Sequence, residues 1–398
     1  MVKGVCILGS TGSVGRNTCR VIQSLADRFR VIGLTAGGNL RVLNRQIHQL
    51  QPKIVSVRDL KLARSLRERL RMEGYRPRVK IVFGSGGMSE AATHPQVDTV
   101  VSASHGVTGL EATYRAVESG KSVALANKET LVVAGELITR LARKTKSDIL
   151  PVDSEHNAIH QCLRAGRREE VRNLILTASG GPFLKTSRRA LERIRPEQAL
   201  RHPTWKMGGR ITLDSATLMN KGFEVIEAHW LFRMPSEAIQ VLIHPQSIVH
   251  SMVEFKDGSL IAQMGVADMK LPIRYALNYP DRLSINGVAA KGASQLLSWE
   301  QMKRLDFELP DLRRFPCLGL AREALESGGS MPCALNAADE VAVEAFLKRR
   351  VKFTDIPRLI QRVLRRTSVA RLRSLADVWD CDREARAYAR ESLLNDFT

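Results

Sequence analysis

Four apolar residues, Val5-Cys6-Ile7-Leu8, run straight into Gly9-Ser10-Thr11-Gly12-Ser13-Val14-Gly15. Such a run reads as a buried strand, and the glycines punctuate a turn. Helical spacing follows (Val14, Thr18, Val21, Ile22, Leu25), and Arg30 to Thr35 reads as a second strand. Strand, glycine turn, helix and strand in this order form a dinucleotide-type unit. Its glycines let the backbone approach a pyrophosphate at a helix N-terminus. The spacing is GxxGxxG rather than GxGxxG, which leaves a plain tight turn open as the alternative. The position between a strand and a helix favours the nucleotide site.

The end of the second strand indicates which nicotinamide cofactor would fit. An NAD site usually has an acid there for the ribose hydroxyls. Here the stretch is Ala36-Gly37-Gly38-Asn39-Leu40-Arg41, with no acid. A 2′-phosphate is tolerated and Arg41 is placed to pair with it, so NADP is expected over NAD. Further strands are expected at Ile54–Val57, Lys80–Phe83, Asp98–Ala103 and Ser122–Ala126, with a helix near 108–119 closed by Gly120. The strand before Asn127-Lys128-Glu129 ends in a polar cluster that suits a ligand or, equally, a helix start.

A second polar stretch follows Ile149-Leu150, as Pro151-Val152-Asp153-Ser154-Glu155-His156. Side chains two apart on an extended end point the same way, so Asp153 and Glu155 can converge on one cation. A helix cap, with Asp153 or Ser154 capping and Glu155 in the first turn, explains the same residues. The two readings are compatible.

Between 150 and 280 the pattern changes. Leu174 to Thr177 enters Ala178-Ser179-Gly180-Gly181-Pro182-Phe183, a turn offering a hydroxyl and open amides to a phosphate, or an ordinary glycine turn. Residues 202–210 read as a loop whose Trp205 and Met207 could close over a ligand. Asp214 and Ser215 look like the cap of a helix running to about Phe232. On it Asn220, Lys221 and Glu224 share one face, either as a site for a hydroxylated phosphate or as a surface salt bridge. Gly222, costing about 1 kcal/mol against Ala inside a helix, suggests a close packing partner. Strands at 239–243, 248–255 and 259–264 form a sheet suited to docking a subunit. Residues 281–310 read as a linker. Helices at 317–327, 333–349, 356–366 and 374–394 read as a small bundle.

Composition excludes several classes. No run of about 18 apolar residues is present, so no membrane-spanning helix is expected. Val2 to Leu8 leads straight into the glycine turn, so no secretory leader is expected either. The six cysteines form no CxxC pair and read as reduced core residues of a cytoplasmic protein. The net charge of +20 raises nucleic-acid binding, but aromatics are sparse in the basic stretches and no recognisable nucleic-acid module is present. Anionic small substrates fit a positive field as well.

Taken in order, the motifs at 9–15, 125–129, 151–156, 179–183, 202–224, His244-Pro245-Gln246-Ser247 and Asn336-Ala337-Ala338-Asp339-Glu340 form a specific set. The chain closely resembles, over essentially its whole length, the 1-deoxy-D-xylulose 5-phosphate reductoisomerase family. The resemblance implies an α/β protein in three parts. These are a Rossmann-like NADP-binding domain (1–150), an α+β catalytic and connective domain with a dimerisation sheet (151–280), and, after the linker, a C-terminal helical bundle (311–398). It implies conversion of 1-deoxyxylulose 5-phosphate to 2-C-methylerythritol 4-phosphate with NADPH and Mg²⁺ or Mn²⁺, Co²⁺ being a further option.

By resemblance the metal ligands are Asp153, Glu155 and Glu224, an all-oxygen set for a hard cation. Ser179, Ser215, Asn220 and Lys221 would hold phosphate and hydroxyls, and Lys128, Ser154, Glu155, His202 and Glu224 would contact substrate. Lys128, Asp153, Glu155, His202 and Glu224 form the catalytic set. Cofactor positions would be Thr11, Gly12, Ser13, Val14, Gly37, Gly38, Asn39, Asn127, Glu129 and Gly208. A sugar-phosphate substrate and a homodimer are expected, with no nucleic-acid or membrane partner. The runner-up is another two-domain NADP oxidoreductase, of the homoserine or aspartate-semialdehyde dehydrogenase type. Three departures stand out. Gly38 replaces a frequent Lys or Arg, Gly209-Arg210 replaces two basic residues, and Asp339 replaces a common Asn with little consequence expected.

Overall fold

The structure, a computed structural model, describes residues 2–75, 78–201, 208–283 and 296–396. The chain forms two compact units. The first comprises 1–130, 138–157 and 268–295, the second 131–137, 158–267 and 296–398.

The first unit is built on a parallel sheet of seven strands: β1 (Lys3–Leu8), β2 (Phe29–Ala36), β3 (Ile54–Val57), β4 (Lys80–Phe83), β5 (Thr99–Ser102), β6 (Ser122–Leu125) and β7 (Ile149–Pro151). Their order is β4-β3-β2-β1-β5-β6-β7. The order reverses direction at β1, and ligands bind beyond the strands' carboxyl ends at such a point. Val5, Cys6, Ile7 and Leu8 are fully buried, as a strand covered on both faces requires. Leu43 and Ile47, from the helix Leu40–Leu50, join the same core at 0% exposure. Each such side chain contributes roughly 1.5–3 kcal/mol of burial free energy.

The turn after β1 needs two of its glycines for different reasons. Gly9 has φ +78°, and a Cβ there would lie 2.5 Å from the Ala103 carbonyl oxygen. A Cβ on Gly15 would lie 2.3 Å from the Gly9 oxygen, so the helix Ser13–Gln23 could not pack onto its own turn. The turn is pinned from β2 and the next helix. Gly9 N–H donates to Thr35 Oγ1 at 3.0 Å, and the buried Gln46 amide donates to the Ser10 carbonyl at 2.8 Å.

The second unit holds a mixed sheet of β8 (Val171–Ala178), β9 (Ile239–Ile243), β10 (Val249–Phe255) and β11 (Leu260–Met264), in the order β11-β10-β8-β9. β9 runs parallel to β8, while β10 runs antiparallel to β8 and β11. The helix Met219–Phe232 packs its buried Phe223 and Ile226 into a core shared with Leu174 and Leu176 of β8. The helices Cys317–Ser327, Met331–Leu347, Asp355–Arg366 and Leu375–Asp396 add Leu318, Leu335, Ile360 and Ala385 to that core. Gly222 is explained here: a Cβ would meet the Ala321 Cβ at 2.5 Å. All six cysteines are free. Among the described residues no helix is long and apolar enough to cross a membrane.

Candidate active site

Most of the residues expected to face a nucleotide follow the carboxyl ends of β1 and β2 in the first unit. Gly12 is the N-cap of the helix Ser13–Gln23, and no side chain caps that helix. Its terminal amides and positive end are therefore available to an anion. Thr11, Gly12, Ser13 and Val14 are all at least partly exposed, as are Gly37, Gly38 and Asn39 after β2. Asn39 caps the next helix, its Oδ1 accepting from Val42 N–H at 3.1 Å. A Cβ at Gly37 would meet nothing within 4 Å, and one at Gly38 only a Leu62 methyl at 4.0 Å.

Arg58, just past β3, was missed by sequence reasoning. Its backbone N–H donates to the Gly37 carbonyl at 3.3 Å, and its largely exposed side chain donates through Nε to Asp59 Oδ2 at 3.2 Å. The signal was a basic residue ending the strand next to β2, visible only once the strand order is known. Asn127, assigned to the cofactor, has its side chain committed. It donates to the Ser104 and Gly106 carbonyls and accepts from the Thr130 amide and hydroxyl. It therefore ties the loop after β5 to the helix Glu129–Thr145 that Lys128 caps.

Lys128 Nζ lies 2.9 Å from Asp153 Oδ2, with both side chains mostly buried. Ser154 Oγ donates to Glu155 Oε2 at 2.7 Å. Ser154 begins the helix Ser154–Cys162 with Glu155 in its first turn, and the Asp153 carbonyl accepts from Asn157 N–H at 2.8 Å, so both carboxylates stand at the helix start. His156 is fully buried, its Nδ1 3.9 Å from Asp153 Oδ2.

Glu129 lies in the first unit, and the second unit holds Ser179, Gly208, Ser215, Asn220, Lys221 and Glu224. Gly180 and Gly181 adopt φ +82° and +68°, and a Cβ on Gly181 would lie 2.7 Å from the Ser215 carbonyl oxygen. The Ser179-Gly180-Gly181 turn therefore packs against Ser215, and Ser179 Oγ accepts from Gly181 N–H at 3.3 Å. Glu224 is 1% exposed and Lys221 3%, so theirs is no surface salt bridge. The Lys221 ammonium donates to the Glu224 carboxylate and the Thr177 carbonyl, and Asn220 Nδ2 donates to Glu224 Oε1 at 2.5 Å. A buried carboxylate is tolerable only with such partners.

Two expectations need correction. Ser215 does not stand at the N-terminus of the helix reaching Phe232. A first helix, Gly209–Thr217, ends there, Leu218 turns left-handed at φ +61°, and a second helix starts at Met219. Asp339 is not a neutral replacement. It is fully buried 3.4 Å from Arg210, whose guanidinium also reaches Asp214, Glu340 and Asn336. Burial, the largest influence, pushes the Asp339 carboxyl up to about 6. Gly208 is the exposed N-cap of the helix Gly209–Thr217. His202, Trp205 and Met207 lie outside the described residues.

An uncapped glycine-turn helix on a parallel sheet, with no acid at the end of β2, fits the class of NADP-dependent oxidoreductases. Comparison with known proteins makes this particular. The family model for 1-deoxy-D-xylulose 5-phosphate reductoisomerase matches residues 5–135, and its two C-terminal-domain models match 149–232 and 264–388. A 1-deoxy-D-xylulose 5-phosphate reductoisomerase of Caldanaerobacter subterraneus subsp. tengcongensis is 48% identical over 97% of this chain and 98% of the relative. The Zymomonas mobilis enzyme solved with NADPH aligns at TM-score 0.91 and 41% identity, over 99% of this chain and all of the other. A DOX-P reductoisomerase solved with NADPH, fosmidomycin and magnesium aligns at TM-score 0.91 and 37% identity, over 99% and 98%. The chain belongs to the 1-deoxy-D-xylulose 5-phosphate reductoisomerase family.

Proposed function

We propose that this chain converts 1-deoxy-D-xylulose 5-phosphate to 2-C-methyl-D-erythritol 4-phosphate, rearranging the carbon skeleton and then reducing the resulting aldehyde with NADPH. The observation that carries this reading is full-length kinship with reductoisomerases, one of them solved with NADPH, fosmidomycin and magnesium. Residues 1–150 take the nucleotide role, with Thr11 to Val14 and the helix N-terminus meeting the pyrophosphate. Gly37 to Asn39, backed by Arg41 and Arg58, receive the 2′-phosphate. Glu129 and Gly208 complete the cofactor set, and Asn127 acts through the backbone it holds. Residues 151–280 supply catalysis, and 311–398 the helical support.

Asp153, Glu155 and Glu224 are the carboxylates assigned to a divalent cation, Mg²⁺ or Mn²⁺. The donor chemistry fits: each offers carboxylate oxygen, and the pairing of Asp153 with Lys128 and of Glu224 with Lys221 supports a cation at these positions. When bound, such a cation supplies Lewis-acid stabilisation of oxyanionic charge. The chain's own groups do the rest. Ser179, Ser215, Asn220 and Lys221 bind and orient phosphate and hydroxyls, Ser154 and His202 touch substrate, and buried His156 steadies Asp153. The Lys128 ammonium is placed to hold positive charge beside substrate oxygens. A homodimer through β11 is part of the reading, since this edge strand exposes Leu260, Ile261 and Met264. A cytoplasmic location agrees with six free cysteines. Purified protein given 1-deoxyxylulose 5-phosphate and NADPH should consume NADPH only with Mg²⁺ or Mn²⁺ present; no metal-dependent consumption would defeat the proposal.

A further inference from the structure

A cavity of about 250 Å³ opens in the second unit, and none of the residues assigned above lines it. Its floor is apolar: Leu191, Phe315, Leu320 and Phe353 are each at most 5% exposed. Its rim is basic, with Arg188, Arg313, Arg314 and Arg358 against the single acid Glu192. These arginines differ in what they already hold. Arg314 is a strut, bound to Asp311 at 2.8 Å and to the Leu184 and Thr186 carbonyls. Arg358 shares one N–H with Asp355 at 3.2 Å. Arg188 and Arg313 have no guanidinium partner among the described residues, and both are exposed. Residues at the starts of two longer helices, Cys317–Ser327 and Asp355–Arg366, also line the cavity, adding the positive ends of their dipoles.

We propose that this cavity is a second ligand site, for a small organic phosphate with an aromatic or short aliphatic body. The volume sets the body's size. A dry apolar cavity of roughly 150 Å³ holds benzene, so this floor takes a ring or a short chain. The rim sets the head group: guanidinium forks match phosphate oxygens in pairs. The site also accounts for part of a positive charge that one cofactor and one substrate do not require. Thr217 lines it, and the Thr217 hydroxyl meets the Met219 amide at the break before the helix carrying Lys221 and Glu224. An occupant would therefore touch the joint that orients that helix.

Calorimetric titration with phenyl phosphate tests this, using binding rather than turnover. Wild type and Ser215→Ala should both bind it at the cavity, whereas Arg188→Ala/Arg313→Ala should lose that event at least tenfold. Arg188→Lys/Arg313→Lys should retain part of it. Both arginines are exposed and unpartnered, so their loss should leave the melting temperature unchanged. The proposal is overturned if the double alanine variant titrates like wild type. It is equally overturned if wild type shows no binding sensitive to Arg188 and Arg313, or if inorganic phosphate binds there as tightly, leaving the apolar floor unused.

Discussion

Replacing Asp339 with Asn should stabilise the protein, and increasingly so as pH rises. The carboxyl is fully buried, and burial holds its pKa near 6 against an ordinary 3.8. The attraction of Arg210 is already contained in that value. A gap of about 2.2 units corresponds to about 3 kcal/mol, at 1.36 kcal/mol per unit. The sign follows from proton binding. Between pH 3.8 and 6 the folded state keeps a proton that the unfolded state has released, so stability falls as pH rises. Below 3.8 the penalty is absent, and above 6 it is complete. Asn carries no charge and its Oδ1 still accepts from Arg210, so the variant escapes the penalty. At pH 4.5 about 1 kcal/mol of it has appeared and at pH 7 all of it. The stability difference, Asp339→Asn minus wild type, should therefore grow by about 2 kcal/mol. For a cooperative unit of about 150–250 residues that is roughly 4–8 °C in melting temperature. Scanning fluorimetry of both proteins at the two pH values reads it directly. A difference that stays constant, or shrinks at pH 7, would refute the reasoning.

Glu224→Gln should abolish turnover while NADPH still binds, measured by assay and by fluorescence titration; wild-type turnover would remove Glu224 from the site. Gly38→Lys has open space for its side chain and should tighten NADPH relative to NADH about tenfold, the low end for a charged hydrogen bond; an unchanged ratio would mean Arg41 or Arg58 already fills that role. Arg58→Ala should weaken NADPH but not NADH in the same titration. Gly222→Ala should destabilise by about 1–3 kcal/mol in urea despite alanine's better helix propensity, because its Cβ meets Ala321.

Much of the fold was legible because its signals are local. Val5–Leu8 and the glycine turn announced β1 and its helix, and helical periodicity placed the last four helices within a few residues of where they stand. The Lys221–Glu224 pairing was legible for the same reason, since three residues make nearly one turn. What failed depends on distant chain. Leu218 carries no turn signature, and nothing local separates two helices there from one. Burial of Lys221 and Glu224 goes with long-range contact, the Lys221 ammonium reaching the Thr177 carbonyl of β8, and Gly222 is explained only by Ala321 of the helix Cys317–Ser327. Arg58 acquires meaning only through the pairing of β2 with β3, and Asp339 only through Arg210.

The central claim is that this chain rearranges a carbon skeleton before reducing it. Carbon-13 NMR of the product formed from labelled 1-deoxyxylulose 5-phosphate, NADPH and Mg²⁺ tests that most directly. The account predicts the branched skeleton of 2-C-methylerythritol 4-phosphate. A straight-chain alcohol, reduced at the original ketone, would contradict it.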